Sequence, residues 1–116
     1  MNSGFDECLA EGVTLFNAGQ WYPAHEVWEQ AWQHESGPRR LLLQGLILVA
    51  AGWLQRTRGR PEGARTLFTR ALERLEALPA MYEGVDVGVL LPQVRHWREG
   101  GTGESPRVAF TPTLED

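Results

Sequence analysis

The chain has 116 residues, 22% of them charged, and a formal net charge of -4, a length that fits one domain with a single hydrophobic core. Its acidity argues against a protein that binds nucleic acid or anionic lipid as a whole, and its one cysteine, Cys8, excludes an intramolecular disulfide. The longest apolar run, 41–54, is interrupted by Gln44 and is shorter than the roughly 20 residues of a membrane span. The N-terminal segment carries acids where a secretory signal needs positive charge, so we expect a soluble, cytoplasmic protein.

Two amphipathic helices are predicted at the start of the chain, near 5–18 and 23–35. The first presents apolar or small side chains at helical spacing: Phe5, Cys8, Leu9, Gly12, Val13 and Phe16. Between the two helices, Gly19 is free to take the left-handed conformation that commonly ends a helix. The second helix begins at Pro23, and its apolar stripe consists of Ala24, Val27, Trp28 and Ala31.

Three further helices are predicted near 38–58, 61–78 and 87–98, with no sheet. The third is apolar nearly all round, which is typical of the buried centre of a bundle. The fourth has the clearest apolar stripe, which comprises Ala64, Leu67, Phe68, Ala71, Leu75 and Leu78. The last presents Leu90, Leu91, Val94 and Trp97. The expected fold is therefore all-α, a compact bundle of about five helices.

The chain is expected to divide into a helical bundle, 1–98, and an extended C-terminal tail, 99–116, that is rich in Gly, Pro and Thr. Because Val108, Phe110 and Leu114 give this tail an apolar content, we expect it to pack on the same chain or on a neighbouring copy. Five tryptophans in so short a chain also favour an interface. We therefore expect self-association into a homodimer.

A shift of 40 residues aligns the first pair of predicted helices with the second. It superposes Gly12 on Gly52, Gly19 on Gly59, Ala24 on Ala64, Trp28 on Phe68 and Ala31 on Ala71. Small residues at such positions are typical of tetratricopeptide repeats, although the period is longer than their usual length of about 34 residues and two units are too few for a solenoid. We therefore expect a closed bundle that contains two tetratricopeptide-like helix pairs.

One polar cluster whose side chains could bind a metal or take part in catalysis lies on the second predicted helix. His25 and Glu29 are four residues apart and share a helix face, which Trp32 continues, and Glu26 lies next to it. In one interpretation Glu29 accepts a hydrogen bond from His25 or from an arginine, with Gln44 of the third helix within reach. In the other, His25, Glu26 and Glu29 form a metal-binding or hydrolase-like site. We favour the first and expect no metal, because the zinc-protease helix motif has a second histidine where Glu29 stands.

A local basic stretch between 56 and 74 is the one feature of the sequence that could bind phosphate groups. It contains Arg56, Arg58, Arg60, Arg65, Arg70 and Arg74. Glutamates interleave with these arginines, as on a solvated helix face, and the whole chain is acidic. We therefore do not expect a nucleic-acid partner.

Several segments resemble a known family. They are 15–29, which reads Leu-Phe-Asn-Ala-Gly-Gln-Trp-Tyr-Pro-Ala-His-Glu-Val-Trp-Glu, together with 42–47, 59–64 and 82–87. The chain is similar in these segments to the domain of unknown function 309 family of small prokaryotic and plastid helical proteins. The residues at the family's signature positions are His25, Glu26, Glu29, Trp32, Gln44 and Gly45. The resemblance implies a compact helical bundle and, as the family's name states, no established activity.

Two classes of function follow from these features. We favour a non-enzymatic helical module that binds a protein partner or a small ligand and needs no cofactor. The rival is the metal-binding or hydrolase-like site on the second helix. The two differ in whether His25 and Glu29 face an open pocket or are enclosed and bonded to each other.

Overall fold

The computed structural model describes residues 3–112, without the side chain of Ser3. Five helices form most of it: α1 (Ser3–Asn17), α2 (Trp21–Trp32), α3 (Gly37–Thr57), α4 (Pro61–Leu75) and α5 (Val87–Arg98). Two short strands, β1 (Met81–Tyr82) and β2 (Val85–Asp86), lie between α4 and α5. The predicted all-α bundle of five helices is confirmed, whereas the predicted absence of any sheet is wrong.

The helices pack on one another in chain order, so that α3 lies between α2 and α4. Its buried residues are Leu42, Leu43, Gly45, Leu46, Val49, Ala50, Gly52 and Trp53. Because two helices cover it, α3 has no single apolar stripe, which explains why its sequence is apolar nearly all round. Within residues 3–112, no helix is both long and apolar enough to cross a membrane.

The helix pairs α1–α2 and α3–α4 each close on a glycine. In the first pair the indole of Trp28 occupies the space that a Cβ on Gly12 would need. In the second pair the ring of Phe68 takes the same place, and a Cβ on Gly52 would lie 2.7 Å from its atoms. These positions correspond at the 40-residue shift, so the repeat in the sequence is a repeat in the packing.

The turns inside the two pairs are also alike. Gly19 and Gly59 have φ angles of +83° and +74°, in the left-handed region that glycine reaches without strain. After α1 the amide of Gln20 donates to the carbonyl of Leu15 at 2.8 Å. After α3 the two residues that correspond to these at the 40-residue shift form the same hydrogen bond, at 2.9 Å. Both helices therefore end in a Schellman motif, in which the glycine reverses the chain and the freed carbonyls are satisfied.

The unpredicted sheet is a tight hairpin in which β1 and β2 pair antiparallel. The two residues that connect its strands, Glu83 and Gly84, have φ angles of 52° and 83°. Positive φ at both positions is what the tightest hairpin turns require. Strands of two residues are too short to produce the alternation by which a strand is recognised in a sequence.

The C-terminal tail packs on the bundle of the same chain. Val108 is only 2% exposed and belongs to the core, and Phe110 packs against that core and pairs with Val85 of β2. The expectation that these two residues find a packing surface is confirmed. Leu114, which was expected to join them, lies outside the described residues.

Candidate functional site

A shallow groove on the surface of α3 brings three of the predicted site residues together. It is lined by Glu29 and Trp32 of α2 and by Gln44, Ile47 and Leu48 of α3, and these five residues are called the α3 groove below. Its volume is about 170 Å³. Ile47 and Leu48 are only half-buried, because α2 and α4 leave this part of the apolar surface of α3 uncovered.

Gln44 is held in the groove by α4. The Nε of Arg74 donates a hydrogen bond to the Oε1 of Gln44 at 3.1 Å, and the same guanidinium lies 3.4 Å from a carboxylate oxygen of Glu73. The hydrogen bond of Gln44 is therefore to an arginine of α4, rather than to His25 or Glu29. Sequence reasoning missed Arg74 as its partner.

His25 and Glu29 do not form the predicted hydrogen bond. The Nδ1 of His25 is buried without a partner, and the exposed Glu29 makes no hydrogen bond or ion pair with residues 3–112. The ring of His25 instead stacks on Tyr22, with 6.2 Å between centroids and an angle of 6° between planes. Residues three and four apart on a helix are both neighbours, and His25 takes its neighbour three residues back, Tyr22, in place of Glu29.

No metal centre is formed by the predicted residues. Among residues 3–112, no three histidine, cysteine, aspartate or glutamate side chains are placed to hold a metal ion. Glu26 is exposed like Glu29. The metal-binding or hydrolase-like interpretation of His25, Glu26 and Glu29 therefore has neither a ligand cluster nor a histidine–carboxylate hydrogen bond to support it in this part of the chain.

Trp32 is the aromatic member of the groove, and a cation lies over it. The guanidinium carbon of Arg40 is 3.9 Å from the centroid of the Trp32 ring, and its Nη1 donates to the carbonyls of Trp32 and Glu35 at 3.3 and 3.2 Å. These carbonyls belong to the C-terminal end of α2 and the turn after it, where positive charge is favourable. Sequence reasoning did not identify Arg40, because this contact joins two helices.

A second concavity, the α1–α2 cleft, opens between the start of α1 and the end of α2. It measures about 470 Å³ and is lined by Gly4, Phe5, Cys8, Gln30, Ala31, Gln33, His34 and Glu35. At the 40-residue shift Phe5 and Glu35 correspond to Gly45 and Leu75. In the second pair Leu75 packs onto Gly45, where a Cβ would lie 2.5 Å from it. The cleft therefore lies beside the first-pair residues that correspond to Gly45 and Leu75.

Cys8, in the α1–α2 cleft, is kept as a neutral thiol. Burial raises the pKa of Cys8, and the nearby carboxylates of Glu11 and Glu7 raise it further. Because the thiolate is the reactive form, this environment gives a weak nucleophile.

The model of the family described as domain of unknown function (DUF309) matches residues 9–67. The chain belongs to this family. Its fold is also that of a solved relative, a conserved hypothetical protein from Thermus thermophilus, which is 39% identical over 79% of this chain and 96% of that chain, with a TM-score of 0.70. No curated protein matches the chain.

The family match contains the whole α3 groove but ends inside α4. It therefore includes all the signature residues expected from the resemblance, from His25 to Gly45, whereas Arg74 lies beyond it. Gly45, the last of these residues, is explained by packing, because it admits Leu75. Glu29, Trp32 and Gln44 are the signature residues that line a common surface.

Proposed function

We propose that this member of the family is a helical module that binds a protein partner through the α3 groove. The observation that carries the proposal is the half-buried pair Ile47 and Leu48 beside Trp32, whose ring bears the guanidinium of Arg40. Tryptophan and arginine are enriched among the residues that dominate the energy of protein interfaces. An apolar floor and an aromatic wall that is held by the guanidinium of Arg40 are suited to receive an anchor side chain.

The size and charge of the groove favour a partner protein over a small molecule. Its volume of about 170 Å³ is below the roughly 300–1,000 Å³ of most small-molecule sites and is enough for one apolar side chain. The exposed Glu29 at its rim has no ionic partner within residues 3–112. The partner segment expected here carries an apolar side chain next to a lysine or arginine.

Site-specific crosslinking tests this proposal. A photo-crosslinking amino acid replaces Leu48 in the groove or, as the matched control, Thr66 on the exposed side of α4. In the source cells we expect an adduct of one defined mass at position 48 and none at 66. Trp32→Ala should abolish that adduct, and Thr14→Ala on the exposed side of α1 should leave it. Equal adducts at both positions, or none at 48, would contradict the proposal.

A small ligand in the α1–α2 cleft is the second candidate, favoured by a specific observation. The cleft of about 470 Å³ falls within the roughly 300–1,000 Å³ of small-molecule sites, and both polar and apolar side chains line it. A ligand there would cover Cys8. We therefore expect compounds that raise the melting temperature to slow alkylation of Cys8. Stabilising compounds that leave the alkylation rate unchanged would exclude this site.

Self-association is proposed as a further property. Three large apolar side chains are at least half exposed, Tyr22 at 54%, Met81 at 56% and Val89 at 50%. A specific dimer would have to bury about 1,200–2,000 Å² in total around such residues. Light scattering should give the mass of a dimer, and a monomer mass at high protein concentration would rule it out.

A further inference from the structure

Residues 106–111 form a strand-like segment along the edge of β2, joined to it by one isolated bridge. Phe110 pairs antiparallel with Val85, and two main-chain hydrogen bonds of 2.9 and 2.8 Å flank that pair. Burial alternates along this strand as the two-residue period of a strand requires. Pro106 and Val108 are buried and Phe110 is half-buried, whereas Arg107, Ala109 and Thr111 are exposed.

Two side-chain amides hold this strand by its main chain. The Nδ2 of Asn17, at the end of α1, donates to the carbonyl of Val108 at 2.9 Å, and its Oδ1 accepts from the amide of the same residue at 2.9 Å. On α5, the Nε2 of Gln93 donates to the carbonyl of Arg107 at 3.1 Å, and its Oε1 accepts from the amide of the same residue at 2.9 Å. Each amide therefore satisfies both polar main-chain groups of one residue, as a neighbouring strand would. Recognition of this kind does not depend on the side chains of the bound strand.

The edge of β2 is also shaped for a close approach. A Cβ on Gly84 would collide with the carbonyl oxygen of Thr111, and the φ of Gly84 is +83°. The segment that leads from α5 to the strand contains Gly100 and Gly103, with φ angles of +83° and +119°, and residues 102–104 are exposed. The strand is thus seated in a formed site at the end of a glycine-rich connection.

We propose that Asn17, Gln93 and the edge of β2 form a strand-binding site, the tail site, which the chain's own tail occupies at rest. When the tail is displaced, the site accepts an extended peptide with apolar residues at alternate positions, in the pattern Val-x-Phe. Main-chain hydrogen bonds supply affinity in such strand addition, and pockets for alternate side chains supply selectivity. That pattern is the one found in the tail segment that occupies the site. The tail site shares no residue with the α3 groove, so neither proposal depends on the other.

The tail is the built-in competitor for this site. A segment joined to its site by a short connection acts at a high effective concentration, of order 1 mM. A peptide added to the resting protein must overcome this competition. Release of the tail should therefore raise the affinity for an added peptide strongly without any change in the site itself.

Hydrogen exchange of the full chain tests whether the tail opens. We expect the amides of Val108 and Thr111 to exchange at least about 100-fold faster than the amide of Val49 in α3, by a local opening that is insensitive to low denaturant. A synthetic peptide with the sequence of residues 104–112 should accelerate exchange at Val108 further, because it holds the tail off the site. Equal exchange at the tail and at Val49, or no effect of the peptide, would overturn the proposal.

Binding of the same peptide, labelled with a fluorophore, tests the site directly. Val108→Asp in the full chain should release the tail and bind the peptide at least about 10-fold more tightly than the parent does. Adding Asn17→Ala should remove most of that gain, and a control peptide with aspartate in place of its valine and phenylalanine should not bind. If Val108→Asp does not fold, the exchange experiment on the parent decides. Equal binding of the control peptide, or absence of saturable binding to the folded variant, would overturn the proposal.

Discussion

The two helix pairs agree in what holds them together and differ in what they present to their surroundings. The glycine at 12 or 52, the ring that packs on it and the turn at Gly19 or Gly59 are common to both. The signature face of α2 is not, because His25 and Glu29 correspond to Arg65 and Thr69. The packing residues are thus common to both pairs, whereas the polar residues His25 and Glu29 of α2 have no similar counterpart in the second pair.

The outer faces of α1 and α3 differ because of their places in the order of helices. The exposed residues Glu7, Glu11 and Thr14 of α1 correspond to the half-buried Ile47, Ala51 and Leu54 of α3. The helix at the end of the bundle faces water, and the central helix faces α2 and α4. Similar residues at corresponding positions of the two pairs therefore indicate a role in packing. Dissimilar residues indicate either a different position in the bundle or a binding surface.

The largest expected effects come from the rings that the two pairs share. Trp28 and Phe68 are both fully buried, and truncation of a buried aromatic to alanine costs about 3–5 kcal/mol. Trp28→Ala and Phe68→Ala should each lower the free energy of unfolding in urea by an amount in this range. Thr14→Ala, at an exposed position of α1, should change it by less than about 0.5 kcal/mol. If only one of the two ring variants is destabilised, the equivalence of the pairs is wrong.

Glycine-to-alanine substitutions test the same contact, because they should lower stability at positions where alanine would normally raise it. Alanine normally stabilises a helix interior over glycine by about 0.5–1 kcal/mol. At Gly12 and Gly52 the new methyl group meets a packed ring, and overpacking costs about 1–3 kcal/mol, so both variants should be less stable. Gly63→Ala in α4 should be neutral or stabilising, since the nearest atom is the mobile end of Gln55 at 3.4 Å. A stabilising Gly12→Ala, seen in thermal unfolding, would show that Trp28 does not pack there.

The helices show how far sequence reasoning reaches in this fold. Periodicity located all five, and the last was predicted with its observed bounds of 87–98. The fourth was predicted to end at 78 because Pro79 follows, but α4 ends at Leu75. A proline forbids a helix beyond it without requiring the helix to reach it. The hairpin was missed, since its turn glycine follows a glutamate rather than the asparagine or aspartate that signals such turns.

The site was predicted in part. Helical spacing placed Glu29 and Trp32 on one face, and the structure brings both beside Gln44. Spacing alone could not show that His25 turns back onto Tyr22, nor that Gln44 bonds to Arg74, since both depend on side-chain direction and on the packing of α4 against α3. The contacts that cross between helices are the part that periodicity does not encode.

A moderate loss of stability is expected for one groove residue and almost none for another. Gln44→Ala leaves the Nε of Arg74 without its acceptor and should cost about 0.5–1.5 kcal/mol. Glu29→Ala should change stability by less than about 0.5 kcal/mol, because Glu29 is exposed and has no partner within residues 3–112. Thermal unfolding with zinc and with a chelator completes the test. A midpoint that rises with zinc would revive the metal interpretation, since a ligand of the folded state stabilises it.

The smallest expected effect concerns Cys8, for which the second helix pair has Leu48. Its pKa is raised by burial and by Glu11 and Glu7, so at pH 8 a smaller fraction is thiolate than in a free cysteine. Alkylation should be slower than for a model thiol and should keep accelerating as the pH rises above the ordinary pKa of about 8.5. Glu11→Gln should speed it slightly. A rate that levels off below that pH would contradict this assignment.

The most direct test of the account exchanges the residues by which the first pair differs from the second. His25→Arg with Glu29→Thr gives α2 the residues found at the equivalent positions of α4. The yield of the crosslinked adduct at position 48 is then measured in this double variant and in the parent. The account predicts that the adduct is lost while the unfolding free energy stays within about 0.5 kcal/mol of the parent. An unchanged adduct in a destabilised protein would contradict it, because the signature face would then serve packing and not binding.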